Sequence, residues 1–198
     1  VYIGSIEKKI YALDGETGLL KWEFLTTGTI HSSPVIGSED TVYIMSRDAR
    51  IYALDGETGL LKWEMLINSK MPRPDTNSAA IGADGTVYIG YGDIIYALNG
   101  KSGVKIWECE VGSRIISDLV IGNDGTLFLI TESGISLIKT SSSGPAESPW
   151  PMFGGNAEHT SQGGYGTLEI ISHPKLIISE IGKSVSLSNT SKGAFPRT

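Results

Sequence analysis

The chain has 198 residues, a net charge of −6 from 22 acidic and 16 basic side chains, and a single cysteine, Cys109. One cysteine excludes an intrachain disulfide, and an acidic chain without basic stripes argues against a nucleic-acid partner. No apolar run approaches the length that a membrane-spanning helix needs. The sequence opens and stops within strand-like patterns, so we expect it to be part of a longer protein, and its start carries no information about export.

Three near-copies of one segment dominate the sequence. IYALDGETGLLKWE occupies residues 10–23 and again 51–64, and IYALNGKSGVKIWE occupies 95–108. Their tryptophans are therefore 41 and 44 residues apart. A unit of about 40–45 residues that holds several short strands is typical of a β-propeller blade. Because propellers typically carry 4–8 blades, the chain has room for only part of a ring.

The predicted strands follow this repeat from the N-terminus. Residues 1–24 supply the second, third and fourth strands of a first blade, and one complete unit runs from Ser32 to about Leu66. A third unit covers 77–111, and 117–139 supplies the first three strands of a fourth blade. We predict an all-β propeller of four-stranded antiparallel blades, with about three and a half blades present as a partial ring. The complete unit has its strands at 33–37, 41–46, 50–55 and 60–66, rich in β-branched and aromatic residues.

Alternation in the last strand of that unit predicts which side chains pack. Leu61, Trp63 and Met65 should face one way, and Lys62 and Glu64 the other. One face of this outer strand is therefore expected to be buried and the other solvated.

The repeat pattern ends after Lys139. Residues 140–167 form a Ser/Pro/Gly-rich connector. A second, short β pattern follows from 168 to 198 and is too short to fold alone. We therefore expect three parts, namely propeller blades at 1–139, a loop-rich connector at 140–167 and the start of a second β module at 168–198.

The residues shared by the repeats reduce to A-x-[D/N]-x-x-[T/S]-G-x-x-x-W, at residues 12–22, 53–63 and 97–107. Asp or Asn opens a turn by bonding backbone amides, and Gly takes the positive φ that closes it. Trp buries a large flat surface and has an N–H that needs an acceptor. The pattern resembles the tryptophan-docking motif of the pyrroloquinoline-quinone (PQQ) repeat family, over residues 1–139. That resemblance implies rings of usually seven or eight blades, with each Trp stacked on the Ala and Thr-Gly peptides of a neighbouring blade.

Two further resemblances concern location and the tail. SPWPMFGGNAEHTSQG at 148–163 is similar to the W-P-M-F…H-T-G segment that flanks such propellers in exported bacterial proteins, although Ser161 stands where Gly is usual. The tail from His173 is similar to the opening of an immunoglobulin-like module. The resemblance implies a periplasmic location, or an extracellular one at the cell surface, in a bacterium.

The family resemblance leaves three functions open. The chain is closest to non-catalytic exported propellers such as the outer-membrane β-barrel assembly lipoprotein, which implies a protein- or ligand-binding or structural module without cofactor. A fragment of a PQQ-dependent quinoprotein dehydrogenase is the alternative, and it would use PQQ with Ca²⁺ and an adjacent Cys-Cys pair that one cysteine cannot form. A third possibility is the accessory propeller of a multidomain surface enzyme or adhesin.

No catalytic, cofactor-binding or metal-binding set stands out among the remaining side chains. Asp14 and Asp55 have the same turn role in each repeat, whereas an active site is unique. The three histidines follow no metal-ligand spacing, and Cys109 reads as a small apolar filler. The histidines are His31, His159 and His173.

The loop after Trp63 is the candidate binding face. Trp63 to Val87 spans 24 positions, against 20 for Trp22 to Val42, and the inserted residues 68–76 depart from the repeat. A departure from a repeat is where individual function is expected. A protein or glycan partner is expected there, and the remaining blades or self-association should cover the open blade faces. The loop offers Lys70, Met71, Arg73 and Asp75, and its neighbours on that face are Arg47, Asp48, Arg50, Tyr91, Asp93, Arg114 and Glu132.

Overall fold

The computed structural model describes residues 1–67 and 77–156, together with the backbone of two strands at 176–180 and 183–187. This part of the chain forms four β-sheets and one short 3-10 turn, Ser38–Asp40, which confirms the all-β fold class and the partial ring of blades. The strands are β1 Tyr2–Gly4, β2 Lys9–Leu13, β3 Leu20–Leu25, β4 Val35–Ile36, β5 Thr41–Ser46, β6 Arg50–Asp55, β7 Leu61–Leu66, β8 Ala80–Ile81, β9 Thr86–Tyr91, β10 Ile94–Asn99, β11 Lys105–Glu110, β12 Val120–Ile121, β13 Thr126–Thr131, β14 Gly134–Lys139, β15 Leu176–Glu180 and β16 Lys183–Leu187.

The sheets follow the sequence repeat. Sheet 1 holds β1–β3, sheet 2 holds β4–β7 and sheet 3 holds β8–β11, each with neighbouring strands antiparallel. In sheet 4 the order is β12 to β16, and β15 pairs with β14 in parallel. That pairing places the backbone of 176–180 and 183–187 in the fourth sheet. The division of the chain at residue 168 into a separate module remains a prediction.

A bulge changes the outer strand of each complete repeat. The register shifts between Ala53 and Leu54, so that Ala53 faces Trp63 whereas Leu54 faces Leu61. Trp63 and Met65 are half-buried as predicted, but Leu61 is exposed. The expectation for Leu61 is wrong because the extra residue in the bulge breaks the two-residue alternation before the strand reaches it.

The sheets stack face to face, and three apolar clusters lie between them. We call the side of a sheet that meets the next sheet along the chain its forward face, and the opposite side its rear face. The forward face of sheet 1 packs Ile10 and Ala12 against Ile44, Tyr52 and Leu54 on the rear face of sheet 2. Sheets 2 and 3, and sheets 3 and 4, meet in the same way. Burial of these faces is the main source of stability.

The connector runs along the inner strands of the blades. The amide of Ile36 in β4 donates to Trp150 O at 2.7 Å, and the amide of Ile81 in β8 donates to Pro151 O at 2.9 Å. Ala83 donates to Gly144 O at 2.8 Å, and Met152 is fully buried. Residues 144–152 therefore satisfy edge amides of sheets 2 and 3 that would otherwise be unpaired.

Candidate functional site

Each of the first two sheet interfaces contains a glycine turn that receives an aromatic pair. The indole N–H of Trp22 donates to Gly56 O at 2.8 Å, and Tyr2 Oη donates to the same carbonyl at 3.0 Å. Trp63 and Tyr43 repeat this on Gly100 O, at 2.8 and 3.0 Å. A Cβ on the closing glycine of the turn, Gly59 or Gly103, would lie 2.6 Å from the indole that covers it. We call this arrangement an indole seat.

The acidic residue of the repeat fixes the conformation of the turn that forms the indole seat. Asp55 Oδ1 accepts from the backbone and the hydroxyl of Thr58, at 2.9 and 2.8 Å. In the first repeat the backbone amide of Thr17, followed by its hydroxyl, lowers the pKa of Asp14 to about 2. Asn99 makes the same two bonds to Ser102, at 3.0 and 3.1 Å. Because an amide can replace the carboxylate, the role of this position is to order a turn.

The third interface lacks the seat. Tyr88 and Trp107 keep the ring geometry of the other pairs, with centroids 5.8 Å apart, but Thr140 stands where Gly56 and Gly100 stand in the other repeats. The Thr140 amide lies 3.4 Å from Gly125 O, against 3.1 Å for the equivalent Gly100 bond. Tyr88 Oη is buried without a hydrogen-bond partner. Where Thr140 replaces the glycine of the other repeats, the hydroxyl of Tyr88 thus has no acceptor.

The loop face is formed by the β5–β6, β9–β10 and β13–β14 turns together with the segments that join successive sheets. Ile67 donates to Ala49 O, Ile115 to Gly92 O and Glu132 to Arg114 O, at 2.7 to 2.9 Å. The predicted binding residues Lys70, Met71, Arg73 and Asp75 lie outside the described residues. The structure therefore describes the residues from which that loop departs but not the loop itself. The binding role of the four side chains stays a prediction.

Asp48 is the most strongly bonded charge on the loop face. Burial alone would raise its pKa, but hydrogen bonds from Thr27, Tyr52 and the backbone of Arg50 outweigh burial and lower it. Arg50 pairs with Glu64 at 2.8 Å, and Arg114 lies 3.9 Å from Glu132. Of the predicted neighbours, Arg114 and Glu132 are thus brought together, whereas Arg50 pairs with Glu64 on β7, which was not predicted.

An apolar surface at the inner edge was missed by the sequence reasoning. A cavity of about 480 Å³ is lined by Tyr2, Pro34, Trp150 and Phe153, and another of about 530 Å³ shares Phe153. Beside it, Ser78 Oγ accepts from Ser33 N at 2.9 Å, which joins sheets 2 and 3. The W-P-M-F motif was the available sequence signal, but it does not indicate which strands this segment contacts.

A metal-bound cofactor would need a cluster of ligating side chains. Across 1–67 and 77–156, no three His, Cys, Asp or Glu side chains come together as metal ligands. His31 is exposed, and the pKa of the half-buried Cys109 is raised by burial and then by Glu110. His159 and His173 lie outside the described residues. We derive no catalytic step through a Ca²⁺–PQQ pair, and the absence of that pair from the protein stays a prediction.

No described helix has the length and apolar content that a bilayer crossing requires. This finding concerns only the residues that the structure places.

Several solved structures have a fold similar to that of this chain. BamB from Moraxella catarrhalis is similar with a TM-score of 0.59 and 22% identity, over 70% of this chain and 45% of that chain. The WD40 β-propeller domain of Doa1 gives 0.56 and 11%, over 68% and 44%. BBS1N in complex with ARL6DN gives 0.54 and 15%, over 68% and 41%. At these identities the likeness shows the fold, and this chain spans less than half the length of each.

No curated protein matches the sequence. The family described as outer membrane protein assembly factor BamB matches residues 1–180, which is most of the chain. Together with the three stacked repeat sheets and their indole seats, that match places the protein in the BamB-like family of PQQ-type repeat propellers.

Proposed function

We propose that the chain is a non-catalytic binding module of an exported bacterial protein, and that it holds a protein partner on its loop face. The observation that carries this proposal is that the repeated side chains have structural roles, whereas the inserted segment does not belong to the repeat. The repeated Tyr, Trp and Asp residues are occupied in the sheet interfaces and turns. The insertion that departs from the repeat leaves from the loop face, next to Ile67, which is bonded to Ala49.

The comparisons favour a protein as the partner. The matching family is described as an assembly factor of the outer membrane, and the BBS1N structure, which is similar to this chain, is of a complex with ARL6DN. The family description also supports a location in the periplasm or at the outer surface. Both points come to this chain as proposals.

The chemistry of the face suggests how a partner is recognised. Lys70 and Arg73 give the inserted segment two cations, and strands β6 and β7, which precede it in the sequence, hold the ion pair of Arg50 and Glu64. An acidic partner surface would be steered toward them, and the association should weaken as salt screens the charges.

A photo-crosslinking experiment on the full chain tests the proposal. A crosslinking residue at Met71 should trap a defined protein in the periplasmic fraction of the native host, whereas one at Leu60 on the opposite side should not. Replacing Lys70 and Arg73 by Ala should abolish that adduct without changing the melting temperature. Lys21→Ala with Lys101→Ala is the matched control, because it removes two exposed positive charges on the other side, one from the start of β3 and one from the β10–β11 turn. Equal loss of the adduct in both double variants would contradict the proposal.

A second measurement addresses catalysis. The intact protein is titrated with PQQ and Ca²⁺ and assayed by dye-coupled alcohol oxidation. Measurable turnover would contradict the non-catalytic proposal.

A further inference from the structure

Asn99 and Gly100 form the only Asn-Gly pair in the sequence, and they stand where the other two repeats have Asp14-Gly15 and Asp55-Gly56. Asparagine is a thermolabile residue. It is most labile before glycine, because glycine has no side chain to hinder the approach of its nitrogen to the asparagine amide. The turn of the third repeat is thus the one repeat turn that can lose ammonia.

The reaction at such a pair needs only water as co-reactant. The Gly100 nitrogen attacks Cγ of Asn99, the new N–Cγ bond closes a succinimide ring, and Nδ2 leaves as ammonia together with the proton of the Gly100 amide. Water then opens the ring. Attack of water at Cγ gives aspartate, whereas attack at the main-chain carbonyl carbon gives isoaspartate, whose backbone passes through Cβ and Cγ. Either product adds a negative charge.

The folded turn engages both reacting groups elsewhere. Asn99 Oδ1 accepts from the amides of Lys101 and Ser102, at 3.0 Å each, and from Ser102 Oγ at 3.1 Å. The Gly100 amide donates to Gly85 O in the β8–β9 turn at 3.1 Å. The side-chain amide is therefore directed toward residues 101 and 102, and the nitrogen that would attack it is held by a different turn.

The indole seat fixes the peptide of Gly100 from the other side. Gly100 O accepts from Trp63 Nε1 at 2.8 Å and from Tyr43 Oη at 3.0 Å. A Cβ on Gly100 would lie 2.5 Å from Gly85 O and 2.9 Å from Tyr43 Oη, so the peptide is tightly enclosed. Asn99 ends strand β10 in an extended conformation, and ring closure requires the following peptide to rotate. The attack must therefore wait until sheet 2 withdraws from this seat.

The other repeats indicate what each product would do. Asp14 and Asp55 accept from the amides of Thr17 and Thr58 at 2.9 Å, so a carboxylate forms the same turn. Aspartate at position 99 should therefore keep the seat. Isoaspartate inserts one carbon atom into the backbone before Gly100 and moves its carbonyl away from the two aromatic donors. Those donors would then lose their acceptor within the interface, which is costly for buried groups.

We propose that Asn99-Gly100 is a latent deamidation site, which the indole seat between sheets 2 and 3 keeps unreactive and which converts irreversibly when that interface opens. The modification therefore marks chains in which these two sheets have separated. It lies in the β10–β11 turn and requires no partner on the loop face.

Peptide mapping of the full chain by mass spectrometry tests the site. In guanidinium chloride at neutral pH, the peptide that contains Asn99 should deamidate faster than any other asparagine peptide, and an isoaspartyl methyltransferase should detect isoaspartate in it. In native buffer the conversion should be slower by about thirtyfold or more, the factor that corresponds to the two hydrogen bonds of the seat. Absence of conversion in denaturant, or equal rates in both solutions, would overturn the proposal.

Two tyrosine variants locate the protecting interface. Tyr43→Phe removes one bond to Gly100 O, so it should speed native conversion by about fivefold if opening precedes reaction. Tyr2→Phe removes the equivalent 3.0 Å bond to Gly56 O at the first interface, and as the matched control it should leave the rate at Asn99 unchanged. Equal acceleration by both variants would assign the reaction to global unfolding and defeat the role of this seat.

Discussion

Gly18 and Gly59 offer an internal comparison because they lie in identical sequence but different surroundings. Both close a D-G-E-T-G turn, with φ of +71° and +73°. A Cβ on Gly59 would lie 2.6 Å from Cδ2 of Trp22 and 2.8 Å from its Cε3, whereas one on Gly18 would meet no described atom within 4 Å. Gly18→Ala and Gly59→Ala therefore carry the same backbone strain and differ in the collision.

The expected magnitudes follow from these contacts. An alanine held at positive φ costs about 1–2 kcal/mol, and the stiffer unfolded chain returns about 0.4–1 kcal/mol. Gly18→Ala should thus lose about 1 kcal/mol of unfolding free energy. Gly59→Ala must also displace the indole, which costs about 1–3 kcal/mol in packing. It weakens the 2.8 Å bond to Gly56 O as well, at about 1 kcal/mol.

Urea unfolding followed by circular dichroism measures the difference at one fixed protein concentration. We expect Gly59→Ala to be less stable than Gly18→Ala by about 2–4 kcal/mol, from the packing and hydrogen-bond costs together. Gly103→Ala should behave like Gly59→Ala because its Cβ would lie 2.6 Å from Trp63, and Gly85→Ala like Gly18→Ala because its surroundings are open. Equal losses at Gly18 and Gly59 would refute the role assigned to the indole seats.

Three further outcomes are expected. Tyr43→Phe should lower the unfolding free energy by about 1 kcal/mol because it removes the hydrogen bond to Gly100 O. Tyr88→Phe should leave stability unchanged or raise it, because it removes a buried hydroxyl that has no partner. Thermal unfolding compares the two variants, and a larger loss at Tyr88 would contradict this reasoning. The lowered pKa of Asp14, about 2 against 3.8, means that the contribution of its carboxylate to stability is present above about pH 4 and is lost as pH falls toward 2. Asp14→Asn copies the amide that Asn99 supplies in the third repeat, so it should make stability less dependent on pH over that range. An unchanged dependence on pH would count against this role of Asp14. Burial and Glu110 raise the pKa of Cys109, so iodoacetamide should alkylate it more slowly at pH 7 than a cysteine in a short peptide, and an equal rate would show an accessible thiolate.

The sequence was sufficient to predict the parts of the fold that repeat. Strands β5 and β6 have the predicted bounds, because β-branched and aromatic runs end at turn residues. The innermost strand was predicted over 33–37 but pairs only at Val35 and Ile36. Ser33, before the strand, donates instead to Ser78 Oγ beside sheet 3, and the carbonyl of Ile36 in the strand accepts from Ser148 of the connector.

What occurs once in the chain was not predictable in the same way. The contacts of Trp150 and Pro151 with the inner strands run through backbone carbonyls, which every residue possesses, so no pattern announces them. The replacement of the repeat glycine by Thr140 was visible in the sequence. Its effect on Tyr88 became clear only when the two residues were placed across an interface.

The connector also sets an order of events during synthesis. Ser148 bonds to the carbonyl of Ile36 across 112 positions of sequence, and the amide of Ile36 uses Trp150. A ribosome that has finished the second blade has therefore not yet made the groups that complete its innermost strand. Because contacts of such long sequence separation form late, the nascent second and third blades remain unfinished at their inner edge until this stretch emerges.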